Sequence, residues 1–331
     1  MVDPVLTVVV CTYNRAHLLK GCLDALVDQF LSPDAYEVLV VDNNSTDATL
    51  DIAKDYASRY AHFRALTEAR QGLSIARNSG WYHARGLYVA YIDDDALAPH
   101  DWCARIVENF ERVSPQPSAM GGPAIPFYDQ ALPAWVAPDF GLHTWGDQAG
   151  FLPVPGYVHS FYGMNMMFRR DVLVASGGFA ESMGLSGVRL IMGEEPELFS
   201  RLQRVDPQFW YDPQLAVRHY EPVDKMTPCY LLRRRYATGE ADRNIARIKR
   251  GSLQFAYRVL DLVALIVLTL PRAASHVLWE RWTWQRSLLH EGLKVAAGAG
   301  FVFGRNIQLP PLPAENGRET SKTMASGGKH K

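Results

Sequence analysis

Three short apolar runs near the start of the chain constrain its fold more than any other feature. Val5 to Cys11 is a β-branched run, the pattern of a strand covered on both faces of a parallel sheet, Tyr36 to Val41 reads as a second buried strand, and Leu87 to Ile92 is a third apolar run of strand type. Between them the spacing turns helical. Leu19, Cys22, Leu23, Leu26 and Phe30 recur on one face between Arg15 and Phe30, with Asn14 placed to cap the helix. Further helices are expected from about Thr46 to Tyr60 and from about Leu73 to Arg85, separated by a short strand near Phe63 to Leu66. This alternation predicts an α/β fold: a doubly wound, mostly parallel sheet with flanking helices. Ligands of such sheets bind at the carboxyl ends of the strands. The three runs end in Tyr13-Asn14, Asp42-Asn43 and Asp93-Asp94-Asp95, so three polar clusters are expected to meet on one edge.

The acidic triplet is the most pointed of these. Three adjacent carboxylates repel one another unless a counter-charge is present. A hard divalent cation, Mn2+ or Mg2+, is a natural one, because it takes oxygen ligands and bridges carboxylates to a diphosphate. A solvated acidic turn is the plainer alternative.

Composition narrows the class. At 331 residues, 48% apolar and 21% charged, the chain has ample core for one large domain or two modest ones. Its net charge of -1 offers no general attraction to nucleic acid, and no nucleic-acid partner is expected. Cys11, Cys22, Cys103 and Cys229 lie far apart without a Cys-x-x-Cys pair, which argues against a zinc site or disulfide framework and suits a reducing cytosol. Met1-Val2-Asp3-Pro4 leads straight into a strand and shows no basic segment of a signal peptide.

Residues 113 to 160 are rich in proline, glycine and aromatics (Phe127, Trp135, Phe140, Trp145) without periodicity. They read as a long functional loop, its aromatics either stacking on a sugar or lipid or packing on one another. A strand from about Phe161 to Phe168, a short helix after Arg170 and a helix beginning at Gly193-Glu194-Glu195-Pro196-Glu197 follow. Past Thr227 basic residues dominate (Arg233, Arg234, Arg235, Arg243, Arg247, Lys249, Arg250), then come an apolar run from Val259 to Leu270 and Trp279, Trp282 and Trp284. The run is shorter than the roughly 20 residues of a spanning helix. It reads as an interfacial attachment, or else as a helical pair packed on the core. The division expected is a catalytic domain over 1–226 (a nucleotide-binding half to about 112, an acceptor half from 113), a helical, membrane-associating extension over 227–313, and a disordered tail over 314–331.

Taken together the motifs resemble family 2 glycosyltransferases of the GT-A fold. They are Val9-Val10-Cys11-Thr12-Tyr13-Asn14-Arg15, Val40-Val41-Asp42-Asn43-Asn44-Ser45-Thr46-Asp47, Gly72-Leu73-Ser74-Ile75-Ala76-Arg77-Asn78, Tyr91-Ile92-Asp93-Asp94-Asp95, Gly163-Met164-Asn165-Met166-Met167-Phe168-Arg169 and Gly193-Glu194-Glu195-Pro196-Glu197-Leu198. They fall in order between residue 5 and about 220; the C-terminal third lies outside the resemblance. The resemblance implies a nucleotide-diphosphate-sugar donor held by Thr12, Tyr13, Asn14, Arg15, Asp42, Asn43, Arg77, Asp93 and Asp94. Asp42 would accept from the base or else cap the next helix, and Arg77 would approach the diphosphate or else make a salt bridge. Asp93 and Asp95, with His219, would hold Mn2+ or Mg2+, unless His219 is structural. An inverting transfer needs a base opposite the leaving group. The family pattern Gly-Glu-Asp-x-Glu/Asp-Leu gives that role to its second acid, here Glu195 in place of Asp, with Glu194 a rival.

The Gln-x-x-Arg-Trp element of processive synthases is missing from the sequence: Arg233-Arg234-Arg235-Tyr236 has no tryptophan. Transfer of a single sugar to a polysaccharide, lipid-linked or other membrane-proximal acceptor is therefore expected, on the cytoplasmic membrane face. An inert sugar-nucleotide-binding protein and a nucleotidyltransferase are the rival functions.

Overall fold

A computed structural model describes residues 3–153, 160–185 and 190–313. The tail read as disordered, 314–331, lies outside the described residues. The elements run β1 (Leu6–Thr12), α1 (Ala16–Val27), β2 (Tyr36–Asp42), α2 (Thr49–Arg59), β3 (Phe63–Thr67), α3 (Leu73–His83), β4 (Tyr88–Asp93), β5 (Ala96–Leu97) and α4 (Trp102–Arg112). There follow β6 (Ala119–Gly121), β7 (Ala124–Phe127), β8 (Gly150–Phe151), β9 (Met166–Arg169), α5 (Arg170–Ser176), α6 (Glu194–Val205), β10 (Phe209–Tyr211) and β11 (Val217–Tyr220). Three helices close the chain: α7 (Pro228–Ile245), α8 (Leu253–Trp279) and α9 (Trp284–Phe303).

An eight-stranded sheet in the order β3-β2-β1-β4-β9-β6-β10-β8 forms the centre. Its pairings from β3 to β4 are parallel, as is β6 with β10, while β9 runs antiparallel between β4 and β6. Side chains alternate across a strand, and the two cores follow that period. Val8, Val10, Val38, Val40, Ala90 and Ile92 face α1, α2 and α4 through Leu23, Tyr56 and Phe110. Val9, Leu39, Val41, Val89 and Tyr91 face α3, α5 and α6 through Ala76, Leu173 and Phe199. The largely apolar strands of the sequence are thus buried on both sides.

A smaller three-stranded sheet, β5-β11-β7, sits at the carboxyl edge. Two of its strands are too short to leave a periodic signature, and three short strands (β6, β7, β8) interrupt the stretch read as one long loop. The strand expected over Phe161 to Phe168 starts only at Met166, because residues 161–165 turn through Gly163 and Asn165. Asn14 does not cap α1. It takes φ of 53°, and its Oδ1 accepts from Thr46 N at 2.7 Å, tying the first loop to the second.

In the extension, α7 and α9 run side by side at backbone contact. A Cβ on Gly239 would lie 1.8 Å from Ala297 O, and one on Gly300 would lie 1.9 Å from Tyr236 O, so only glycine permits this approach. Part of the basic segment serves the same packing. Arg243 is buried and donates to the carbonyls of Phe301, Gly304 and Arg305 at 2.9, 2.8 and 2.7 Å, satisfying the end of α9. The apolar run Val259 to Leu270 is not too short after all. It lies within α8, which continues through Pro271 and is long and apolar enough to cross a membrane, with only 6% of its most apolar stretch buried.

Candidate active site

The triplet at the end of β4 splits by alternation. Asp94 turns inward, where Thr12 Oγ1 donates to its Oδ2 at 2.6 Å. Burial, with Asp95 adjacent, raises the Asp94 pKa to about 7 against the opposing hydrogen bond from Thr12. Asp93 and Asp95 share the other side. The small sheet then brings His219 to them: β11 pairs His219 with Ala96, and Tyr220 N donates to Asp95 O at 3.0 Å. Ligand atoms of Asp93, Asp95 and His219 lie within 4.8 Å of one another.

His219 Nε2 is 3.2 Å from Asp95 Oδ1 and its Nδ1 is 3.1 Å from Glu221 Oε1. Neither contact is aligned as a hydrogen bond, so Asp95 Oδ1 and His219 Nδ1 are buried without one. Burial opposes the charge of His219, but the two neighbouring carboxylates outweigh it and raise the imidazole to about 10. Two carboxylates and an imidazole, with an orphaned carboxylate oxygen among them, match the donor set of Mn2+ or Mg2+.

The acidic pair arrives from the opposite side. Gly193 caps α6 at φ of 98°, and Glu194 and Glu195 open the helix. Arg77 of α3, 2% exposed, donates from Nη1 to Glu195 Oε1 at 3.1 Å and to Glu194 Oε1 at 3.3 Å. Its Nη2 lies 3.9 Å from Asp93 Oδ1, and its backbone carbonyl accepts from Tyr91 Oη at 3.0 Å. A diphosphate contact would require Arg77 to give up one of these partners. Burial, then the charge of Glu195, raise Glu194 to about 8, although Arg77 pulls it down, and Glu194 Oε2 is buried without a partner.

The first two loops hold the other expected residues. Asp42 accepts from Ser45 N at 3.2 Å and leaves Oδ1 buried and free; α2 begins beyond it at Thr49, so Asp42 caps the turn and not the helix. Asn43 fixes the loop before α3, donating to Glu68 O and Arg70 O and accepting from Gly72 N at 2.8 Å. Tyr13 is 38% exposed, and Arg15 Nη1 lies 3.7 Å from Asp95 Oδ2. A cavity of about 240 Å³ connects Thr12, Tyr13, Arg15 and Asn43 to the three aspartates. All the residues expected from sequence thus reach one edge.

Four participants had no role assigned from sequence. Gly163 is a cradle: a Cβ there would lie 2.0 Å from Arg77 Nη2 and 2.5 Å from Glu195 Oε1. Asn165 holds that turn through Pro123 O, Leu215 O and Trp102 Nε1. Both stood in a quoted motif, which was the available signal. Glu221 and His143 carried none, because only the folded sheet brings them to His219.

The family model described as Glycosyl transferase family 2 matches residues 7–175. The chain belongs to this family. As a family 2 glycosyltransferase it is an enzyme, and neither an inert scaffold nor a nucleotidyltransferase. It is 29% identical over 218 residues to the glucosyl-dolichyl phosphate glucuronosyltransferase of Haloferax volcanii, covering 64% of this transferase and 68% of that protein. It is 24% identical over 259 residues to the succinoglycan biosynthesis protein ExoM of Rhizobium meliloti, covering 76% and 78%. Other relatives match over about a third of their length, 30% and 31% in two from Bacillus subtilis. In fold, the transferase resembles the mannosyltransferase PcManGT from Pyrobaculum calidifontis, solved in complex with GDP-Man and Mn2+, with a TM-score of 0.62 at 20% identity over 92% of this chain and 89% of that one.

Proposed function

We propose that this transferase is metal-dependent and inverting, and moves a single sugar from a nucleoside-diphosphate sugar to a lipid-linked or polysaccharide acceptor at a membrane surface. The observation that carries the reading is the span of Arg77, from Asp93 in the cation cluster at 3.9 Å to Glu195 at 3.1 Å. One guanidinium thereby sets the distance between the leaving-group side and the proton-accepting side.

Thr12 to Arg15 form the floor under the nucleotide, Asp42 offers its free Oδ1 to the base, and Asn43 keeps the loop in place. Asp93 and Asp94 lie toward the ribose. Asp93, Asp95 and His219 would hold the cation, which when bound would offset charge developing on the diphosphate. Glu195, hydrogen-bonded to Arg77 and with its side chain 18% exposed against 6% for Glu194, takes the proton of the acceptor hydroxyl. As that oxygen bonds to the anomeric carbon, the bond to the diphosphate breaks and its electron pair leaves with the nucleotide, inverting the centre. Arg77 orients Glu195 for this step and keeps positive charge near the diphosphate.

The relatives support the acceptor class, one being named for a dolichyl-phosphate-linked sugar and the other for polysaccharide biosynthesis. The exposed apolar residues of α8, among them Leu260, Val263, Val267 and Leu270, support attachment to a membrane. A thermal-shift screen of nucleotide sugars with and without Mn2+ tests the donor side, since a selective ligand stabilises by mass action. Selective stabilisation that depends on Mn2+ is expected; no response to any nucleotide sugar would remove the proposal. The anomeric configuration of the product tests inversion.

A further inference from the structure

The α7–α9 pair closes at one end and opens at the other. Gly239 and Gly300 bring the backbones together, whereas nearer the helix starts Gly292 leaves Leu232 Cδ2 at 3.6 Å from a Cβ position. An open groove of about 760 Å³ occupies this gap, lined by Leu190, Leu232, Ala237, Gly292, Val295 and Ala296. It continues through Leu232 and Gly292 into an apolar hollow of about 320 Å³ against Trp135, Leu288 and Leu289. One wall, Leu190, stands three residues before Gly193, the cap of the helix that carries Glu195.

Two arginines line this groove, and they differ: Arg305 is paired with Glu240, itself in the lining, at 3.2 Å, whereas Arg233 is not. Arg233 lines it, and neither Arg233 nor Arg234 has an ion pair among the described residues. By contrast Arg243 and Arg250 are engaged by carbonyls of the chain around 301–305. Arg234 points by helix geometry toward the catalytic domain. It lies two turns before Ala241 on one face of α7, and Ala241 Cβ meets Gly193.

We propose that Arg233 and Arg234 bind the phosphate of a polyisoprenyl-phosphate-linked acceptor, and that the α7–α9 groove receives the first isoprene units of its chain. This rests on the acceptor class proposed above and assigns its site. Unpaired guanidiniums beside an apolar trough complement an amphiphile with an anionic head, and phosphate takes guanidinium donors in bidentate geometry. α9 forms one wall of the groove and packs on α8, whose outer face is apolar and exposed, so the remaining chain has an apolar surface to follow.

The test is calorimetric titration of the full-length protein in detergent with farnesyl phosphate, farnesol and inorganic phosphate. Farnesyl phosphate is expected to bind, and the other two at least about tenfold more weakly, because each lacks one half of the recognition. Arg234→Gln should weaken farnesyl phosphate about tenfold and leave farnesol unchanged. Gly292→Leu should fill the groove and abolish the advantage of the chain, while Gly292→Ala, whose Cβ makes only ordinary contact with Leu232, should bind as wild type and serve as the folding control. Equal binding of farnesyl phosphate by Gly292→Leu overturns the proposal, as does inorganic phosphate binding as tightly as farnesyl phosphate. Nucleotide-sugar binding with Mn2+ is measured on the same wild-type sample. Loss of that response alone counts against the donor reading, and loss of farnesyl phosphate binding alone counts against the groove.

Discussion

Arg77 and Glu195 meet at 3.1 Å across the carboxyl edge of the sheet, one from α3 and the other from the first turn of α6. The two residues stand 118 positions apart in the chain, and their contact joins the nucleotide-facing half to the turn that completes the site. Because Arg77 is almost wholly buried, its charge is not screened by solvent, and the pair is a fixed part of the site rather than a surface ion pair.

Removing the base should separate chemistry from binding. Glu195→Gln is expected to lower turnover by about two to four orders of magnitude, with donor affinity nearly unchanged. Glu194→Gln is expected to cost much less. The reverse order in steady-state kinetics would move the base by one residue.

Turnover should require a divalent cation. Excess chelator is expected to stop it and Mn2+ to restore it, while Asp95→Asn should lose most activity and retain its circular dichroism spectrum. Full activity in chelator would end the metal role.

Gly163→Ala probes the cradle. A methyl group 2.0 Å from Arg77 Nη2 must push the guanidinium off Glu195. Destabilisation of about 1–3 kcal/mol, the usual cost of overpacking, and a fall in turnover are both expected. Denaturant melts and kinetics on the same preparation check the pair of outcomes.

Glu194 gives a pH signature. Its folded pKa, about 8, lies above the ordinary value of 4.5, so its contribution to stability is complete below about 4.5 and is lost as pH rises through about 8. The metal-free protein should lose stability across that window. Glu194→Gln should flatten the slope, as measured by denaturant midpoints at several pH values.

Membrane attachment should weaken in high salt without vanishing. Arg233, Arg234 and Arg235 contribute on the order of 1 kcal/mol each near an anionic leaflet, while apolar burial by α8 is insensitive to salt. Co-sedimentation with anionic vesicles at two salt concentrations, for the full chain and for a truncation before Thr227, reads both parts. A full-length protein that stays in the supernatant at low salt would be better described by packing or oligomer contacts.

Much of this was legible in the sequence because strand burial on both faces and helical spacing are strong local patterns. β1, β2 and β4 end within about a residue of where those patterns stop, and the polar clusters after them do share an edge. What was hidden depends on pairing between distant segments. A two-residue strand such as β5 has no period, yet its register with β11 is what carries His219 to Asp95. Asn14 has the composition of a helix cap but a left-handed backbone that turns its side chain to the neighbouring loop. The apolar run also tolerates Asp261, which is exposed near Arg258 at 3.8 Å, and α8 accommodates Pro271.

The glycine seam between α7 and α9 has a geometric consequence. With the backbones in contact at Gly239 and Gly300, and Ala241 resting on Gly193, the extension cannot swing freely against the catalytic helix. Whatever surface α8 rests on, the altitude of Glu195 above it is set by these interlocked small residues. On the proposed membrane-bound reading the protein would act as a calliper, selecting an acceptor whose tether holds its hydroxyl at the matching height.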